Sequence, residues 1–165
     1  PKLAEEIEIG NYETNGFRTL TARAGYTSKK ITLQATGNIQ NFIPALDTSQ
    51  TRDQVWNPKR QRSVRAMLRY QPSERTDIRI SGNILSEQVD NLGEKRRPVF
   101  KPYAFDDYYF TDRYDLNVHG ERWTKSKNLI QATLGWNVFS RIKNSYRFDF
   151  DNENKTLLDG MQDTS

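Results

Sequence analysis

Six aromatic rings and two adjacent carboxylates fall within the eleven residues Phe100-Lys-Pro-Tyr-Ala-Phe-Asp-Asp-Tyr-Tyr-Phe110. So much apolar surface is costly to leave in water, and such patches mark contact sites. One reading makes Tyr103, Phe105, Asp106, Asp107, Tyr108 and Tyr109 a ligand platform. Rings would stack on a sugar or siderophore, and carboxylates would take its hydroxyls or amines. The other reading packs these rings loop against loop, on a plug, or on a partner protein. Trp56, with Asp53, Arg60 and Arg62, offers a thinner version of the same pattern.

Other chemistry is sparse. The single histidine, His119, stands beside Asn117 and Glu121 on one parity. No second ligand or nucleophile accompanies it, so hydrogen bonding suits it better than general-base or metal chemistry. Asp149, Asp151 and Glu153 alternate like the start of a calcium loop. The glycine and bidentate glutamate that such a loop needs further on are missing, which favours a solvated acidic loop. There is no cysteine, no glycine-rich phosphate loop and no nucleophile motif. The chain reads as a non-enzyme, with no cofactor and no metal.

The elements that must position these groups are strands. Alternation appears in seven segments: around Ile7 and Ile9, then Leu20–Tyr26, Ile31–Ile39, Val64–Tyr70, Ile78–Ile84, Tyr114–Gly120 and Ile130–Val138. Each sets apolar or small residues against polar ones at period two, which predicts half-buried strands and an all-β fold. Mean hydropathy is −0.90 and hydrophobic residues make up 35% of 165. No apolar run approaches the 18 or so residues of a spanning helix, yet a membrane β-barrel scores as hydrophilic in this way. The 25 basic residues are interspersed with 21 acidic ones, for a net charge of +4. That pattern predicts local pairing and no nucleic-acid partner. The opening residues carry no apolar signal segment, as expected of a cytosolic protein or an internal piece of a longer one.

The connections sharpen the fold. Tight turns are expected at Thr27–Lys30, Gln71–Arg75 and Thr124–Lys127, with a brief connection at Glu13–Gly16. Long segments are expected at 43–61, 86–112 and beyond about 140. Short turns alternating with long loops, on strands of about 9–11 residues, match an outer-membrane barrel. Tyr26, Tyr70 and Trp123 would form one aromatic girdle, and Phe42, Tyr114, Trp136 and Phe139 the other. No charged side chain interrupts the apolar faces between them. A soluble β-sandwich binding module is the bland alternative. Against it, Ala22, Ala24, Ala35, Gly37, Ala66, Gly82 and Ala132 would give a sandwich a thin core.

The stretch Glu6-Ile-Glu-Ile-Gly-Asn-Tyr-Glu-Thr-Asn-Gly-Phe-Arg18, followed by Leu20-Thr-Ala-Arg-Ala-Gly25, resembles the first barrel hairpin of the TonB-dependent outer-membrane receptors common among Bacteroidota. Tyr70-Gln-Pro-Ser-Glu-Arg-Thr-Asp77 is similar to that family's second periplasmic turn. The resemblance covers nearly the whole chain, and the family's TonB box, plug and C-terminal aromatic strand are not in it. It implies an antiparallel up-and-down transmembrane β-barrel, of which residues 1–165 supply an incomplete set of about seven strands at the N-terminal end. Bacterial barrels have even strand numbers, and a lumen lined by Arg23, Arg65, Arg69, Arg79, Asp77, Asp115, His119 and Glu121 needs a wide or plugged interior. The implied function is import of a bulky nutrient ligand from the cell surface to the periplasm, driven by the proton gradient. The implied partners are the plug and the rest of the barrel, the TonB complex, a surface lipoprotein and outer-membrane lipid. A structural or adhesive barrel that transports nothing is the alternative.

Overall fold

A computed structural model describes residues 2–12, 17–42, 57–97 and 99–164, with the backbone alone for 2–12 and 161–164. The strands are β1 (Lys2–Tyr12), β2 (Phe17–Thr27), β3 (Ile31–Phe42), β4 (Lys59–Ser73), β5 (Thr76–Leu92), β6 (Tyr103–Trp123), β7 (Leu129–Asp149) and β8 (Asn154–Thr164). They pair in chain order as one antiparallel up-and-down meander. All seven expected strands are present, and β8 is an addition. The sheet does not close, because β1 and β8 each pair with one neighbour only.

The register explains why period two is so regular. Leu20 lies opposite Ile39, Ala22 opposite Gly37, Ala24 opposite Ala35 and Tyr26 opposite Leu33. The same rows continue through Ala66 and Gly82 to Leu116 and Trp136, and through Leu68 and Ile80 to Val118 and Leu134. Cross-strand partners share a face, so these last two rows are apolar from β2 to β7. The opposite face carries the row Arg23, Thr36, Arg65, Asn83, Asp115 and Asn137. A slip of one residue in any pair would exchange the two sets.

These apolar rows face nothing among the described residues. Leu134 is 76% exposed and Ile130 59%, while buried apolar side chains among the described residues are limited to Ala104 and Pro102. All described strands belong to a single sheet, so no second layer covers the apolar face as a sandwich would require. On β3 the apolar positions run from Ile31 to Ile39, roughly 26 Å along the strand at about 3.3 Å per residue. Above the row that contains Tyr114, outward positions turn polar at Arg62, Ser86, Asp112 and Ser140. Seven strands, β1–β7, traverse this band; β8 pairs only with Ser140–Asp149 of β7, above it.

The expected turns form at one end. Ser28 donates its amide to Ile31 O at 2.8 Å, and Thr124 to Asn128 O at 2.9 Å. Three other expectations need correction, while 13–16 and 43–56 lie outside the described residues. The segment 86–112 is mostly strand, because β5 runs to Leu92 and β6 starts at Tyr103. Beyond 140 there is no long loop either: β7 continues to Asp149 and a four-residue turn, 150–153, leads into β8. Extra length is thus invested in taller strands, whose backbone groups satisfy each other across the pair. The third correction concerns the girdles. Tyr26, Tyr70, Tyr114 and Trp136 lie on the apolar face, but Phe42 pairs with Phe17 and Lys59, Phe139 with Arg113, and Trp123 follows the parity of Glu121. These three sit an odd number of residues from the outward set and so belong to the polar face.

Candidate ligand face

The residues singled out between 100 and 110 are strand residues of β6, so alternation splits them. Tyr103, Phe105, Asp107 and Tyr109 share the polar, inward parity; Asp106, Tyr108 and Phe110 share the outward parity with Tyr114. They are not one loop platform. Trp56 and Asp53 lie outside the described residues.

On the inward side, β7 places Arg141, Lys143, Ser145 and Arg147 next to the β6 set. Tyr103 and Phe105 meet edge to face, with centroids 5.4 Å apart. Each ring then carries a cation. Arg147 lies 4.6 Å from the Tyr103 centroid, Arg96 4.9 Å from Phe105 and Arg141 4.8 Å from Tyr109. Arg97 adds a longer contact to Tyr103 at 6.0 Å, and Lys143 one to Tyr109 at 5.8 Å. Asp107 is already engaged: Lys143 Nζ stands 3.0 Å from Oδ2, and Ser145 Oγ donates to Oδ1 at 2.6 Å. The hydrogen bond to Asp107 raises the Lys143 pKa above the ordinary lysine value.

Arg96 and Arg97 reach these rings because the β5–β6 connection folds back on β6. Gly93 N donates to Phe105 O at 2.9 Å, and Arg96 and Tyr103 exchange backbone bonds of 2.7 and 3.1 Å. A Cβ at Gly93 would meet Phe105 O at 2.1 Å, so no side chain fits there. The connection also holds Arg97 at φ 51° and Lys101 at φ 48°. Non-glycine residues seldom occupy this region, and an ordered loop that keeps two of them is constrained by its surroundings.

The outward side is a second, smaller cluster. Tyr108 and Tyr146 meet edge to face at 5.6 Å, and the Lys155 ammonium lies 3.9 Å from the Tyr108 centroid while bonding its hydroxyl. Asp106 is buried there at 1% exposure. Of the two carboxylates of the expected platform, Asp107 is tied to its neighbours and Asp106 is shielded from solvent. Arg60 and Arg62 lie on β4 with outward parity and do not join the inward set.

Lower on the inward face, the polar rows form hydrogen-bonded networks. Asp77, at 6% exposure, accepts from Arg69 Nε and Arg79 Nη2, both at 2.9 Å, and from Gln71 at 3.4 Å. Arg79 also reaches Glu121 at 3.4 Å. Asn83, Arg113 and Asn137 converge on Asp115. His119 Nδ1 lies 2.8 Å from Thr133 Oγ1, a hydrogen-bonding place of the expected kind. At the acidic hairpin, Asp149 Oδ1 accepts the Asp151 amide at 3.0 Å, which makes Asp149 a turn residue. Among the described residues no three His, Cys, Asp or Glu side chains converge to hold a metal.

Sequence reasoning missed Arg96, Arg97, Arg141, Lys143 and Arg147. A signal existed for the last three: Arg141, Lys143, Ser145 and Arg147 alternate with Ile142, Asn144, Tyr146 and Phe148, which is strand logic continuing past Val138. No protein-family model matches this chain, and no curated protein is similar to it.

Proposed function

We propose that this chain is part of the barrel of a TonB-dependent outer-membrane receptor, which binds a bulky nutrient at the cell surface and imports it to the periplasm at the expense of the proton gradient. The observation that carries the reading is the exposed apolar face. It is continuous across β2–β7, free of charge between the Tyr70 and Tyr114 rows, and covered by no other part of the described chain. Lipid suits such a face, and closure by further strands suits the unpaired edges of β1 and β8. Small residues leave a concavity of about 440 Å³ around Ala24, Ala35, Ala66 and Gly82, a shape that acyl chains can fill. The polar face then lines a lumen that a plug fills, the tall ends of β5–β7 stand outside the cell, and the protein does no covalent chemistry. The TonB complex and a surface lipoprotein are the partners of this reading.

The test is a pair of neighbours. In native outer membranes, a cysteine at position 33 should be quenched by a lipid-chain probe and one at position 34 should react with a water-soluble reagent. Equal labelling of both from water would sink the barrel. Arginine at a mid-membrane outward position costs roughly 2–4 kcal/mol. Leu33→Arg and Leu134→Arg should therefore impair assembly while Gln34→Arg and Thr133→Arg do not. Transport is separate: if the assembled protein supports the same uptake with and without TonB, the structural or adhesive barrel is the correct reading.

A further inference from the structure

Above the apolar band, the arginines of the inward face are not held by ion pairs among the described side chains. Its carboxylates on the strands are Glu87, Asp107, Asp149, Asp159 and Asp163, the last at the position opposite Arg141. Lys59 pairs with Glu87 and Lys143 with Asp107, while Asp149 accepts its own turn's amide. Arg96, Arg97, Arg141 and Arg147 have no carboxylate at ion-pair distance among the described side chains, which end at Gly160, and all four are exposed. Their guanidinium carbons lie 4.6–6.0 Å from the ring centroids of Tyr103, Phe105 and Tyr109 instead. A ring face holds a guanidinium by its plane and leaves the N–H edges free. Those edges fit carboxylate and phosphate oxygens in bidentate fashion.

The same geometry argues against neutral sugar stacking, because each of the three rings already carries a cation. On β7 the cations stand two and four residues apart, roughly 7 and 13 Å along the strand at about 3.3 Å per residue. A ligand that meets all of them is long and charged at intervals. We propose that the inward face of β6 and β7 above the apolar band, with Arg96 and Arg97 of the preceding connection, binds an elongated ligand bearing several oxyanion groups. This deepens the receptor reading and rests on it, because that reading puts the face at the mouth of a barrel.

The experiment uses the full-length protein in outer membranes and three labelled probes: linear polyphosphate, oligogalacturonate, and the methyl ester of that oligogalacturonate. At least one of the two anions should bind, more weakly as salt rises, and the neutral ester should not. Which anion binds better identifies the oxyanion. Replacing all four arginines by glutamine should weaken binding by about tenfold or more, since hydrogen bonds to charged groups are involved. Replacing Lys29 and Lys30, at the far end of the sheet, by glutamine should leave it unchanged. If the fourfold variant does not assemble, Arg141→Gln and Arg147→Gln alone should each weaken binding severalfold. Equal binding of the ester, no binding of either anion, or unchanged binding by the arginine variants would overturn the site. Labelling at positions 33 and 34 in the same membranes separates the two ideas. With the lipid-and-water pattern intact, failure to bind sinks only the oxyanion site; loss of that pattern sinks the barrel as well.

Discussion

The two ends of the sheet treat arginine differently. At the turn end Arg69 and Arg79 converge on one buried carboxylate, Asp77, and Arg79 also reaches Glu121. Two cations meet two anions there, and the cluster is closed. At the loop end Arg141 and Arg147 rest on Tyr109 and Tyr103, and Arg96 rests on Phe105. A ring fixes the position of a cation without cancelling its charge. The residue types are nearly the same at both ends, so counting charges would not separate a structural cluster from a receptive one. What the guanidinium leans on does.

The largest effect should come from breaking the closed end. Asp77→Ala removes the shared acceptor and leaves Arg69 and Arg79 facing each other. Both arginines are partly exposed, which limits the penalty to about 2–3 kcal/mol. Urea unfolding of the detergent-extracted protein should show it, and Arg147→Ala at the open end should cost less than half as much. Equal losses at the two ends would erase the distinction.

Gly93→Ala comes next. Its Cβ would meet the Phe105 carbonyl at 2.1 Å, so the connection must move away from β6. Local strain of about 1–2 kcal/mol follows, with Arg96 and Arg97 displaced from their rings. Oxyanion binding should fall severalfold while the unfolding midpoint moves little, because few other contacts depend on that connection. A change confined to stability would place the two arginines outside the site.

Tyr109→Leu tests the ring itself. It keeps every cation and removes the surface beneath Arg141 and Lys143, a loss of about 0.5–1 kcal/mol at an exposed site. Anion binding should weaken and its salt dependence persist, as read from titrations at two ionic strengths. The smallest effect is the titration of Lys143. Its pKa is raised by Asp107, so the stabilising tie between β6 and β7 is fully present below the ordinary lysine value. The tie is lost as pH climbs through the raised one. Amide exchange near Ser145, corrected for the intrinsic rate, should therefore quicken only in strongly alkaline buffer, and Lys143→Met should abolish that step.

Much of this was legible in the sequence where one face is apolar. From Leu20 to Val138 the alternation located β2–β7 and the outward set, and the pairing supplied their register. Legibility failed where both faces carry the same chemistry. Tyr108, Tyr109 and Phe110 run together, and hydropathy does not alternate although the backbone does. Rings on opposite sides of β6 therefore looked like one loop. Trp123, Phe42 and Phe139 were misplaced for a related reason: height along a strand says nothing about parity, and only the pairing resolves it. In β8 the adjacent Leu157 and Leu158 fall at a register shift, which hides period two altogether.

Strand length grows across the sheet, from 11 residues in β2 to 21 in β6 and β7. Six of the ten added residues lie beyond the level of Phe17 at the loop end, worth roughly 20 Å of strand at about 3.3 Å per residue. The rim is therefore a ramp. A body diffusing down onto it collides first with the summit, where the ring-supported arginines are, and only later with the low side. Capture of an anion there is a matter of arrival rate as much as of grip, because an attractive field at the highest point widens the range of approach directions that end in contact. A lopsided wall acts as an antenna before it acts as a site.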